Sequence, residues 1–313
     1  MAAPAGWIVG WGYNESGEAT GIPSGYGYTA GTVTLDGLMV SNATAIAAGF
    51  GYGLALLEDG TVMGWGGNGM GAATGSRTEN KPYCGHGKVM IDGSILSNVV
   101  VIAAGFTHSQ AIRKDGTVVT WGSPEPYLTN SIRAASGLSN VVSVAGGFSL
   151  AAKSDGTVVN LINGETYAGL TNVAAVSASW RDHGPLVVLK TNGTVVETDL
   201  QGNETPVSVN VSNVVAISAG GENLALKKDG TVFGWGYGSS LPGGLTNIMA
   251  ISAGERHSLA LKCDGSIVSW GYYRPQVLVV PEGLSNVVAI AAGNDFFLAI
   301  TTNRAVAERF RQK

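Results

Sequence analysis

A phrase of about twenty residues recurs along this chain, and it limits the possible folds more than any other feature. Full copies read AAGFGYGLALLEDGTVMGWG (47–66), AAGFTHSQAIRKDGTVVTWG (103–122), SAGGENLALKKDGTVFGWG (218–236) and SAGERHSLALKCDGSIVSWG (252–271). Two diverged copies lie at 144–164 and 177–199. The last copy, AAGNDFFLAITTN (291–303), lacks the GTV-x-x-WG half, which stands alone at the other end as AGWIVGWG (5–12). Seven first halves and seven second halves thus run half a unit out of phase. Repetition at such a period marks a solenoid or a propeller, and the offset is what a ring needs when its termini share one unit.

Within each unit, apolar runs such as VVAISAG and LALKK flank the strongest short hairpin signal, Asp-Gly or Asn-Gly. Six such turns occur, at Asp59, Asp115, Asp155, Asn192, Asp229 and Asp264. With 47 glycines, 45% apolar residues and only 13% charged ones, hairpins rather than charged helices organise the chain. The expected fold is all-β: one seven-bladed β-propeller over 1–303, strand 5–12 completing the last blade, and 304–313 as a tail or linker.

The pattern VVAI-x-AG-x-x-HSLALK-x-DGTV-x-x-WG resembles the regulator of chromosome condensation (RCC) repeat over nearly the whole chain. The resemblance implies a seven-bladed propeller. The acidic, Trp-Gly-rich form seen here, with WGYNESGEATGIP after the first strand, is similar to the secreted bacterial β-lactamase inhibitors of RCC-like fold. That similarity implies a monomer, a protein partner, a secreted enzyme as the inhibited partner, and an extracellular setting. RCC-like propellers host unrelated tasks, so the repeat is specific for fold and not for function.

Composition removes several classes. A net charge of −4 with no basic run before the last ten residues offers a phosphate backbone no footprint, so nucleic acid is not an expected partner. No run of about 18 apolar residues could span a membrane, and MAAPAGW lacks the parts of a signal peptide. Cys84 and Cys263 are too few for a disulfide framework and read as two thiols or one incidental bridge. Cys84 and His86 in YCGHG are two metal ligands without a partner cluster, so no metal is expected. No strand-to-helix context follows GYGYTAG or GNGMGAATG, so neither a nucleotide nor another cofactor is expected.

Hairpin parity places the AG-x-x loops and the segments after WG on one face. Asp59 and Asp115 stand 56 residues apart, against 35 to 40 for the other successive turns. The excess falls in 67–95, a second one falls in 13–41, and both enlarge that face. All ten tyrosines fall on it. Aromatic side chains give large contact area for little lost freedom, which marks recognition surfaces. The expected contacts from the AG loops are Phe50, Tyr52, Phe106, Phe148, Trp180, Phe296 and Phe297. Arg181, His183, Arg256, Tyr237 and Tyr272 join them. Trp11, Trp65, Trp121, Trp235 and Trp270 hold the WG position and are expected between blades.

Four successive loops also carry acids: Asp182, Glu222, Glu255 and Asp295. Two such carboxylates would flank a sugar bond at the separation inverting glycosidases use, with aromatics stacking on the rings. Crowding would raise one of their pKa values enough for general-acid work. His108 and His257 hold the repeat's own His position and read as structural, satisfying backbone groups. No G-x-S-x-G or H-E-x-x-H motif occurs, so any catalysis would be assembled across blades. Two functions stay open: a propeller binding a protein partner, and a glycoside hydrolase or lectin using these acids with Trp180.

Overall fold

The computed structural model describes residues 4–25, 27–79, 83–122, 137–147, 149–161, 163–179, 186–199, 203–207, 211–236, 241–272 and 274–311. Phe148, Trp180, Arg181, Asp182, His183 and Tyr237 lie outside the described residues.

Each repeat folds as an antiparallel meander. In the second copy, Val99–Ala104 pairs with His108–Arg113, which pairs with Val118–Gly122. The middle strand is buried nearly throughout, as an apolar run bounded by turn signals should be. The Asp-Gly turns are held from inside. Asp115 Oδ1 accepts the Thr117 N–H at 2.9 Å and its hydroxyl at 2.6 Å, and Asp59, Asp155, Asn192, Asp229 and Asp264 serve the residue two positions on in the same way. Hydrogen bonds that favour the ionised form hold these aspartates below the usual carboxylate range.

Entry into each first strand is equally regular. Asn42, Asn98, Asn140, Asn172, Asn213, Asn247 and Asn286 have φ between 54° and 61°, a left-handed conformation that asparagine tolerates better than most residues. Their carbonyls accept the N–H of Glu58, Lys114, Ser154, Thr191, Lys228, Cys263 and Thr302, so the start of each first strand is tied to the end of the middle one. One residue further in, each first strand carries a register shift, as between Val99 and Val101.

Among the described residues there are seven sheets of three or four strands and two two-stranded ribbons. Trp7–Tyr13 pairs with Phe296–Thr301 near the C-terminus, Trp7 opposite Thr301 and Trp11 opposite Phe297, the pairing that the half-unit offset predicts. Its other edge carries Tyr28–Thr32. First strands of successive sheets touch one another. Ile46, Ala103, Val144, Ser177, Ala219, Ser252 and Ile290, one from each first strand, line a common cavity of about 210 Å³. The hydroxyls of Ser177, Ser218 and Ser252 accept the N–H of Ala219, Ala253 and Ala292 in the next sheet, each at 2.9 Å.

The core lies between neighbouring sheets, where Leu54, Val62, Leu96, Ala111 and Trp121 form one of several apolar clusters. Trp11, Trp65, Trp121 and Trp270 are buried there as expected, and Trp235 is half-buried. The last residues form a short helix, Arg304–Phe310, capped by the Asn303 side chain. The Thr32 hydroxyl donates to Ala307 O at 2.5 Å, which fastens this helix to the strand beside the N-terminal one. Cys84 and Cys263 are free thiols.

Candidate functional site

The two enlarged segments fold alike. Asn14 is buried; its Oδ1 accepts the N–H of Ala19 and Thr20 at 2.9 and 3.0 Å, and its Nδ2 donates to Thr20 Oγ1 at 2.9 Å and Ile22 O at 2.8 Å. Asn68 repeats the network with Ala73 and Thr74 N–H at 3.1 and 3.2 Å, Thr74 Oγ1 at 2.8 Å and Ser76 O at 2.8 Å. NESGEATG (14–21) and NGMGAATG (68–75) share N-x-x-G-x-A-T-G, a signal invisible when each string is taken alone as a glycine run. Each loop lies hard on the strand before it. A Cβ at Gly10 or Gly64 would stand 1.9 or 1.8 Å from the carbonyl oxygen of Ala19 or Ala73, so a bare backbone is required there. Each loop is then clamped to the next sheet: Trp65 Nε1 donates to Glu18 O at 3.0 Å, and Trp121 Nε1 to Ala72 O at 2.9 Å.

Between these loops opens a cavity of about 640 Å³. Phe50 and Phe106, from adjacent AG loops, meet at its edge with ring centroids 4.3 Å apart and remain 41% and 49% exposed. Met70 and Tyr83 continue the exposed rim, and Tyr52 and Phe296 lie at the bottom. Glu18 is only 4% exposed. Its Oε2 accepts the Ser16 N–H at 2.8 Å, yet burial raises its pKa to about 7, and the charges of Glu15 and Asp295 push in the same direction. Tyr13 donates to Glu15 at 2.5 Å. Asp295, 7% exposed, has Arg274 Nη1 at 3.4 Å, Arg256 Nη1 at 3.9 Å and His257 Nδ1 at 3.9 Å. Arg274 also lies over the Tyr13 ring, 5.7 Å from its centroid.

The regulator of chromosome condensation (RCC1) repeat model matches residues 43–72 and 249–272. Yeast RCC1 (Prp20), solved bound to Kap60, superimposes with a TM-score of 0.71 at 16% identity, covering 98% of this chain and 92% of that one. Human WBSCR16 gives 0.67 at 19% identity, with 95% and 100% covered. The fold is RCC1-like. Protein pim1 of Schizosaccharomyces pombe is 32% identical over 103 residues, which is 30% of this chain, and the match spans only 19% of pim1's own length.

The RCC1-like frame redistributes the expected site residues. Tyr52 and Phe296 occupy the column that His108 and His257 hold in their copies, and that column points inward. Tyr52 is buried, donates to His108 O at 2.7 Å and accepts the Gly105 N–H at 3.1 Å, and burial pushes its phenol pKa up. It and Phe296 therefore shape the cavity floor instead of projecting as contacts. Phe297 is wholly buried with its ring centroid 5.4 Å from that of Trp11, and is a core residue rather than a contact. Tyr272 is exposed, and Arg256 is half-buried.

Of the expected row of acids, Asp182 lies outside the described residues, and Glu222, Glu255 and Asp295 stand in different surroundings. Glu222 is buried, with Oε2 accepting Trp270 Nε1–H at 2.7 Å and the Ser258 hydroxyl at 3.3 Å, so it braces two neighbouring sheets. It faces a small crevice beside Arg256 and Tyr272, whereas Asp295 faces the large cavity. Glu255 lines neither. Glu18 shares the cavity with Asp295; the sequence reading missed it, and the signal that finds it is its place opposite Ala72 when NESGEATG and NGMGAATG are aligned. His108 is structural, but its Nε2 meets the Ser149 hydroxyl at 2.8 Å rather than a backbone group, and burial depresses its pKa to about 4. His86 stands 2.9 Å from Asp36.

Proposed function

We propose that this chain is a closed seven-bladed propeller that binds a protein partner through the aromatic mouth between its two asparagine-built loops. Closure is supported by the pairing of Trp7–Tyr13 with Phe296–Thr301 and by the cavity that all seven first strands line. Binding rests on one observation above all: Phe50 and Phe106 stay 41% and 49% exposed as a tilted ring pair beside a 640 Å³ cavity. Exposed aromatics around a concavity on an otherwise water-compatible surface mark interaction sites. Proteins of this fold are also named with protein partners, Kap60 in one structure and Gsp1p and histones for Prp20p in another. Inhibition of a secreted enzyme, a β-lactamase in the form the resemblance implies, is the specific version.

The test replaces Phe106 with the photo-crosslinker p-benzoylphenylalanine in cells of the source organism, with Val142, exposed at the far end of a first strand, as the control position. A discrete protein adduct from position 106 that is absent from 142 and abolished by Phe50→Ser supports the proposal. Equal labelling at both positions, or none, overturns it. Titration against a β-lactamase panel decides the inhibitor version separately. A carbohydrate-active reading retains two acids in one cavity, Glu18 and Asp295. Turnover of chromogenic glycosides that is lost in Glu18→Gln would support it, and no turnover across the panel removes it.

A further inference from the structure

We propose that the floor of this cavity receives the ammonium group of a lysine side chain carried by the protein partner. This rests on the binding reading above and names the chemistry of its central contact.

The chain contains its own comparison. In the two N-x-x-G-x-A-T-G loops, Glu18 occupies the place of Ala72 and Glu15 the place of Gly69. The fold uses only the backbone carbonyl at that place, which accepts a tryptophan indole N–H in both loops. An alanine therefore satisfies the architecture, and the Glu18 carboxylate is an addition that the loop does not need. Burying a carboxylate without a counter-charge is costly, so an addition of this kind calls for a ligand.

The groups around it define that ligand. The Glu18 carboxylate accepts the Ser16 N–H at 2.8 Å and its own backbone N–H, but no cation pairs with it among the described residues. Asp295 is 7% exposed, its Oδ2 lies 3.4 Å from Arg274 Nη1, and its Oδ1 is buried without a hydrogen bond. Of the two cavity guanidiniums, Arg274 is thus engaged by Asp295 and Tyr13, and Arg77 lies exposed with its Nε donating to Gly69 O at 2.8 Å. Glu15 and Glu18 form no ion pair among the described residues. Single acceptor oxygens on separate segments suit a point charge with three rotatable donors, not the planar fork of arginine. The aromatic rim of Phe50, Phe106 and Tyr83 suits an apolar four-carbon stem, and ring faces attract an ammonium.

Protonation supplies a second signature. Glu18 has a pKa of about 7 in the free protein, raised by burial and by Glu15 and Asp295. A bound ammonium favours the ionised form, so affinity should fall as the pH drops below that value. Arg274, Arg77, Arg256, His257, the Cys84 thiol that feels the Glu18 charge, and the phenols of Tyr13, Tyr52 and Tyr83 are the other ionisable groups around the cavity and Asp295 among the described residues. His257 Nδ1 lies 3.9 Å from Asp295 Oδ1.

The experiment titrates the intact chain with Nα-acetyl-lysine methylamide and its norleucine, arginine and Nε-acetyl-lysine analogues, followed by amide NMR shifts. The lysine probe is expected to bind at least about tenfold more tightly than the other three at pH 8. It should lose about tenfold by pH 5.5, and should lose binding in Glu18→Ala, a substitution that installs the side chain found at Ala72 and so keeps the loop. Unchanged shifts outside the loop verify that fold. Equal binding of the norleucine or arginine probe, or full binding by Glu18→Ala, overturns the proposal. If position 106 still crosslinks a protein while the lysine probe ignores Glu18, the binding reading stands and the lysine contact falls.

Discussion

Glu18 releases its proton near pH 7 in the fold against an ordinary value of 4.5, whereas His108 takes one up only near pH 4 against an ordinary 6.5. Between about pH 4.5 and 6.5 the folded chain holds an extra proton at Glu18 and the unfolded chain an extra one at His108. Raising the pH across this window therefore lowers stability through the first group and raises it through the second. The two slopes cancel, and these groups leave the wild type flat there. Glu18→Gln, which fixes the protonated form, should add on the order of 3 kcal/mol at pH 8, add nothing near pH 4, and expose the His108 slope between. Urea titrations at pH 4, 5.5 and 8 check this, and a variant whose midpoint tracks the wild type at every pH would show that Glu18 is not buried as described. At this scale the sequence was partly readable. Tyr52 stands directly under His108 when the copies are aligned, and that column is inward-facing, so the alignment already held the burial that aromatic character concealed.

The asparagine-built loops are the elements that make the site, and their networks are strong enough to measure. Asn68→Ala would leave the buried N–H of Ala73 and the part-buried N–H of Thr74 without their acceptor. The expected cost is about 2–4 kcal/mol, with loss of order around Met70 and Arg77. Gly64→Ala would drive a methyl group into the Ala73 carbonyl and should cost at least as much. Gly27→Ala, where a Cβ meets nothing within 4 Å, should stay within about 0.5 kcal/mol. Thermal melts of the three variants check the order, and a Gly64→Ala variant as stable as Gly27→Ala would refute the close approach. Strands and hairpins were legible because Asp-Gly and Trp-Gly dipeptides report local geometry directly. The seven left-handed asparagines before the first strands carry the same periodic signal, but φ is not written in a residue name. The pairing of the two long loops was also present, spread over 54 residues between Asn14 and Asn68.

For the whole molecule, the half-unit offset between the chain ends is the feature with the largest mechanical consequence. If strand Trp7–Tyr13 completes the sheet of Phe296–Thr301, it contributes Trp11 to the apolar cluster around Phe297 and Leu259, and its removal leaves an open edge and an exposed cluster together. A chain lacking residues 1–13 should therefore unfold far more easily than the parent, losing a large fraction of a stability that is typically only 5–15 kcal/mol. A synthetic peptide of residues 4–15 should restore it, because the missing strand is short, apolar and paired on both edges. The same peptide with Trp11→Ala should bind far more weakly, since truncating a buried tryptophan costs about 3–5 kcal/mol. Melting temperature as a function of peptide concentration reads both effects. A shortened chain as stable as the parent and indifferent to the peptide would mean that the ends do not share a sheet in solution. The one-sidedness of the tyrosines belongs to this scale too: Tyr13 and Tyr83 do reach the cavity, but Tyr167 is buried in the core, because a residue that follows a strand can turn into the sheet stack as readily as out to the rim.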